Sequence, residues 1–112
     1  MSQLTTHILD TTKGKPARDL QIILYRNKKD QWTEMAKGIT NKDGRVPDLL
    51  KKDVVLEEGI YKMRFETSDY FDKQGVATFY PFVEIIFDIS TQEHYHIPLL
   101  LSPFGYSTYR GS

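Results

Sequence analysis

Tyr61, Met63 and Phe65 alternate with Lys62, Arg64 and Glu66. An apolar residue at every second position fits an extended strand with one buried face. The same two-residue rhythm recurs along most of the chain. Turn signals interrupt it at intervals of roughly 8 to 12 residues, the spacing of a β-sandwich. There is no cysteine among the 112 residues. No disulfide frame supports the fold, and thiolate chemistry is excluded. The core must hold alone, and a chain of this length buries roughly 65% of its unfolded surface, enough for one domain over residues 1–112.

The pattern predicts a first strand over Leu4 to Asp10, then a loop, Thr11 to Pro16. Leu20 to Arg26 and Gln31 to Thr40 form a hairpin about Asn27-Lys28-Lys29-Asp30. Asn41-Lys42-Asp43-Gly44 is a turn in which glycine takes positive φ at little steric cost, and Arg45 follows directly. Leu49-Leu50 is a candidate short strand. Ile60 to Glu66 is a half-buried strand. Thr67 to Gly75 breaks the rhythm and is expected to form one short helix, capped by Thr67 or Ser68 and closed by Gly75. Strands are then expected over Phe82 to Ile89, His94 to Leu101 and Tyr106 to Gly111. These elements predict two packed antiparallel sheets and one helix.

Charge narrows the partners. Lys plus Arg and Asp plus Glu are 15 each, so no basic excess invites nucleic acid or an anionic membrane. A near-neutral chain has little repulsion to keep copies apart, which favours association. No apolar run approaches membrane-span length. Met1-Ser2-Gln3-Leu4 lacks the basic and apolar regions of a signal peptide, so a cytoplasmic protein is the expectation.

Three histidines are predicted on strands. Along the last long strand, Tyr95, Ile97, Leu99 and Leu101 share one face, and His94, His96, Pro98 and Leu100 the other. The first set is the expected core, so His96 points outward. In the first strand His7 alternates with Thr6 and Ile8 and also points outward. A face mixing histidine with leucine and proline is too apolar for the exterior of a lone monomer and predicts a subunit interface. An imidazole there is tunable about neutrality, as a general base must be. The chain ends in Tyr109-Arg110-Gly111-Ser112, a phenol, a guanidinium, a bare backbone and a hydroxyl followed by the α-carboxylate. Tied down by a strand, such a tail can line a polar pocket. Other chemistries find less support. His94-x-His96 with His7 has zinc-like spacing, but no supporting carboxylate is identifiable. There is no dinucleotide fingerprint, phosphate loop or nucleophile elbow.

Three stretches carry a resemblance over essentially the whole chain. They are Leu4-Thr5-Thr6-His7-Ile8-Leu9-Asp10 with Gly14-Lys15-Pro16-Ala17, then Thr40-Asn41-Lys42-Asp43-Gly44-Arg45, and last His94 to Pro103 running into Tyr106 to Ser112. The chain resembles the transthyretin-like 5-hydroxyisourate hydrolase family, whose most specific mark is the terminal tetrapeptide. The resemblance implies an all-β sandwich of two four-stranded sheets with one short α-helix. It implies a homotetramer, a dimer of dimers, with active sites in a central channel and no cofactor or metal. The family's functional positions fall on His7, Arg45, His96, Tyr109, Arg110, Gly111 and Ser112. The implied reaction is hydrolysis of the cyclic amide of 5-hydroxyisourate in purine breakdown. His96, with His7 as partner, would activate water, and Arg45 would stabilise negative charge. Two other readings are a transthyretin-like carrier of a flat aromatic ligand and an interaction domain using the Leu/Pro face.

Overall fold

The computed structural model describes residues 2–111. Two four-stranded sheets face each other. One holds β1 (Leu4–Asp10), β2 (Lys15–Pro16), β7 (Tyr95–Ser102) and β8 (Gly105–Thr108), in the order β2-β1-β7-β8. The other holds β3 (Gln21–Lys28), β4 (Gln31–Ile39), β5 (Gly59–Phe65) and β6 (Val83–Ile89), in the order β4-β3-β5-β6. A single short helix, α1 (Thr67–Asp72), follows β5.

The strand alternation holds through β1, β5 and most of β7. Leu4 and Ile8 of β1 and Leu99 and Leu101 of β7 are buried against Ile22, Leu24, Tyr61, Met63 and Phe65 of the opposite sheet. Each such side chain contributes about 1.5–3 kcal/mol by leaving water. The β3–β4 hairpin closes tightly, with Lys29 and Asp30 at φ 54° and 62°. Two successive left-handed residues match the twist of the strands they join.

Six expectations need correction, one being that the last strand, β8, ends at Thr108 and does not run to Gly111. The sheets are not purely antiparallel, because β1 and β7 run parallel. The chain between them passes through the whole second sheet, so no tight turn constrains their direction. The loop before Ala17 contains β2, which pairs Leu9 with Pro16 and Asp10 with Lys15. Leu49 and Leu50 are buried but lie in irregular backbone, not a strand. Neither Thr67 nor Ser68 caps α1: Glu66 holds that position without a side-chain bond. The Thr67 hydroxyl is buried and has no partner among the described residues. Lastly, β7 begins at Tyr95, so His94 stands just before the strand.

The helix is held by a polar clamp instead. Asp10 at the end of β1 is buried, and its Oδ2 accepts from the Tyr70 hydroxyl at 2.8 Å. Its Oδ1 accepts from the backbone N–H groups of Thr12 and Lys13, each at 3.1 Å. Burial, reinforced by the carboxylate, pushes the Tyr70 phenol up to about 12. Tyr70→Phe is expected to cost about 1–3 kcal/mol in a denaturant titration, since it strips a buried acceptor of one donor. A loss below about 0.5 kcal/mol would mean that the clamp contributes little.

Candidate active site

The parallel register builds the site. Thr5 stands opposite His96, and His7 opposite Pro98. Leu4, Thr6, Ile8 and Asp10 point inward, leaving Thr5, His7 and Leu9 half-buried on the outer face. On β7, Tyr95, Ile97, Leu99 and Leu101 point inward, and His96 and Leu100 are half-buried on that same outer face. The two histidines therefore share one surface, as strand periodicity predicts. Pro98 is buried although it belongs to the outer set, and Gly111 of the tail lies against it.

Arg45 is delivered by the loop after β4. Asn41 Oδ1 accepts from the N–H groups of Asp43 (2.9 Å) and Arg45 (3.2 Å), an Asx arrangement that fixes the turn. Gly44 adopts φ 72°. Its carbonyl accepts from Ile8 N–H at 3.0 Å. A Cβ at Gly44 would stand 2.5 Å from the Ile8 carbonyl oxygen, so only glycine lets this loop dock against β1. Docking holds the backbone just before Arg45 against Ile8, one residue along β1 from His7.

The electrostatics agree with that convergence. Burial pushes His7 below its ordinary value, and the Arg45 guanidinium pushes the same way, while the Asp43 carbonyl and carboxylate pull upward. Burial likewise lowers His96, followed by Arg45, His94 and His7, with the Thr5 main-chain carbonyl opposing. One guanidinium thus acts on both rings. Each imidazole is biased toward its neutral form, the form that accepts a proton.

Two contacts went unread in the sequence. Thr5 Oγ1 lies 2.9 Å from His94 Nε2 and 2.8 Å from His96 Nδ1. The His94 and His96 rings stack with centroids 6.4 Å apart and planes 18° from parallel. Outward alternation gave a partial signal, since Thr5 shares its face with His7. The partner lies 91 positions away, and only the β1–β7 register joins them.

The tail divides. Gly111 pairs with His96, its N–H donating to the His96 carbonyl at 2.9 Å. A Cβ at Gly111 would stand 2.5 Å from His96 Cδ2 and 3.3 Å from Pro98 Cγ. The bare backbone therefore lies directly on the imidazole. Arg110 turns the other way: it pairs with Glu93 and sits 4.5 Å above the Tyr95 ring. Tyr109 is largely exposed. Ser112 lies outside the described residues. A cavity of about 370 Å³ opens beside the tail, its walls including Phe87, Tyr95, His96, Tyr109 and Arg110. It reaches His96 but not His7 or Arg45, which stand on the open sheet face. Among the described residues no group of three or more His, Cys, Asp or Glu is placed to hold a metal ion.

Fold and site together define a transthyretin-type sandwich that carries two histidines on the outer face of one sheet and an arginine on the loop docked against it. The family model described as HIUase/Transthyretin matches residues 4–111, and the chain belongs to this family. It is 46% identical to mouse 5-hydroxyisourate hydrolase over 114 aligned positions, covering 99% of this chain and 96% of the mouse protein. The solved 5-hydroxyisourate hydrolase of Klebsiella pneumoniae superposes with a TM-score of 0.86 at 36% identity, covering 100% of this chain and 94% of that one. Sea bream transthyretin in complex with thyroxine superposes with a TM-score of 0.91 at 33% identity, covering 97% of this chain and 94% of that one.

Proposed function

We propose that this protein is a 5-hydroxyisourate hydrolase, opening the six-membered ring to 2-oxo-4-hydroxy-4-carboxy-5-ureidoimidazoline in purine breakdown. The observation that carries this is the meeting of His7, His96 and Arg45 on one face, with both imidazoles biased neutral by burial and by the guanidinium. Relatives named for this activity support it. A carrier of flat ligands has no use for a proton acceptor near a permanent cation.

The chemistry follows from the groups. A neutral imidazole, His96 or His7, takes a proton from water as its oxygen bonds to the ring carbonyl carbon. Charge passes to the carbonyl oxygen, and Arg45 offers a planar fork of permanently charged donors. The tetrahedral centre collapses, the ring C–N bond breaks, and the imidazolium returns its proton to the departing nitrogen. Tyr109, Arg110, Gly111 and Ser112 complete the substrate site in this proposal.

An open sheet face cannot enclose a small substrate. A second copy facing it would, which supports association between copies; the working form in this proposal is a homotetramer, a dimer of dimers, in the cytoplasm. One domain spanning residues 1–112 suffices for each subunit. Sedimentation equilibrium is expected to give four chains. The direct test of activity is loss of ultraviolet absorbance from freshly generated 5-hydroxyisourate on adding the protein. Binding without turnover would point to a carrier.

The pH profile adds a sharper check. Because the base works when neutral, lowered imidazole values move the acid limb of kcat/KM below about 6.5, the unperturbed value. Arg45→Met removes one downward push, so the limb moves to higher pH. Burial, the larger cause, remains and still pushes downward. A limb unmoved in Arg45→Met would show that Arg45 does not act on the base.

A further inference from the structure

The Thr5 hydroxyl sits between two ring nitrogens, 2.8 Å from His96 Nδ1 and 2.9 Å from His94 Nε2. A hydroxyl has a single hydrogen. It can donate to one of these nitrogens only, and the other must donate to it. The direction of that chain decides where His96 carries its proton, and hence whether the nitrogen facing away from Thr5 can act as a base.

We propose that Thr5 and His94 are positioning residues for His96: His96 donates from Nδ1 to the Thr5 hydroxyl, the hydroxyl donates to His94 Nε2, and His96 Nε2 is left free to accept a proton. This rests on the hydrolase reading, with His96 as the base. One observation favours this direction and two fix the geometry. The Thr5 main-chain carbonyl also acts on the His96 ring, and a carbonyl only accepts, which favours an N–H on the side of the ring facing Thr5. Thr5 is fixed directly opposite His96 by the parallel register, and its branched Cβ restricts the rotation that would carry the hydroxyl away. The stacked, near-parallel His94 ring holds Nε2 within hydrogen-bond reach of the same hydroxyl. The arrangement does for His96 what an orienting carboxylate does for the histidine of a serine hydrolase, holding one tautomer. Here the orienter is neutral, so a smaller effect is expected. The third histidine thereby has a task that needs no metal.

The experiment pairs Thr5→Val, isosteric and without a hydroxyl, with Thr5→Ser, which keeps it. Histidine ring nitrogens are read by long-range proton–nitrogen NMR at pH 8, and turnover by substrate decay. The wild type is expected to show His96 protonated at Nδ1 and bare at Nε2. Thr5→Val is expected to move that proton to Nε2 and to lower kcat about 10–100-fold with KM within about twofold. Thr5→Ser is expected to restore the wild-type pattern and most of the rate. A wild-type spectrum with the proton on Nε2 would overturn the proposal. So would a Thr5→Val variant with wild-type spectrum and rate, or a Thr5→Ser variant as impaired as Thr5→Val. Failure of the wild type to consume 5-hydroxyisourate would sink the hydrolase reading alone, because the spectrum is read without substrate.

Discussion

His96→Asn lowers turnover of 5-hydroxyisourate by at least about 100-fold, with circular dichroism and sedimentation unchanged. The size follows from the role. A positioned acid–base group supplies about 10²–10⁴-fold, and an amide cannot take a proton from water near neutrality. Retention of structure follows from where the side chain lies. His96 is half-buried on the outer face, and the core residues of β7 are its neighbours Tyr95 and Ile97, which point the other way. The asparagine amide also reaches toward the position of Nδ1 and can keep a bond to Thr5. His7→Asn supplies the comparison. If His96 takes the proton, the acid limb of the pH profile disappears in His96→Asn and persists in His7→Asn. A correctly assembled His96→Asn protein with near-normal turnover would remove His96 as the base and leave His7.

The outward setting of His7 and His96 was legible because strand geometry allows only two faces, and the buried set was plain: Ile97, Leu99 and Leu101 on one strand, Ile8 on the other. Arg45 was legible because a glycine turn precedes it, although what that turn rests against was not. The contact of Gly44 with the Ile8 carbonyl joins segments 36 positions apart, and local pattern carries no record of such distances. The β1–β7 pairing was illegible for the same reason. Parallel partners separated by a whole sheet leave no turn between them to announce the register. That one register also explains the unread Thr5–His96 contact. Arg110 shows the opposite limit. Its charge and place in the tail were plain, yet Glu93 and the Tyr95 ring draw it to the other side of β7 within one chain. Composition gives a residue's chemistry, and only packing gives its direction.

Gly111→Ala is expected to lower kcat/KM by about 100-fold, the scale of loss that a 1 Å misplacement in a site produces. The backbone itself accepts alanine, since Gly111 is not among the glycines at positive φ. The obstacle is contact. The new methyl would lie 2.5 Å from His96 Cδ2, 3.2 Å from Cγ and 3.3 Å from Pro98 Cγ, where ordinary carbon contacts begin near 3.5 Å. Proline cannot rotate aside, and the imidazole is held at Nδ1 by Thr5. Relief of about 1 Å must come from lifting the tail, which breaks the Gly111 N–H bond to the His96 carbonyl, or from tilting the ring off Thr5. Both displace the proposed base or the chain beside it. The core is untouched, so Tm is expected to fall by no more than about 4 °C. Gly105→Ala is the control, because its added methyl would meet only Ser102 Oγ at 3.7 Å, and rate and Tm are expected to stay near wild type. Deleting Tyr109 to Ser112 removes the same contact together with the rest of the tail, and is expected to abolish turnover while the sandwich still folds. A Gly111→Ala protein as active as wild type would mean that the tail backbone does not need to rest on the imidazole. A truncated chain that fails to fold would make the tail a structural strap rather than part of the site.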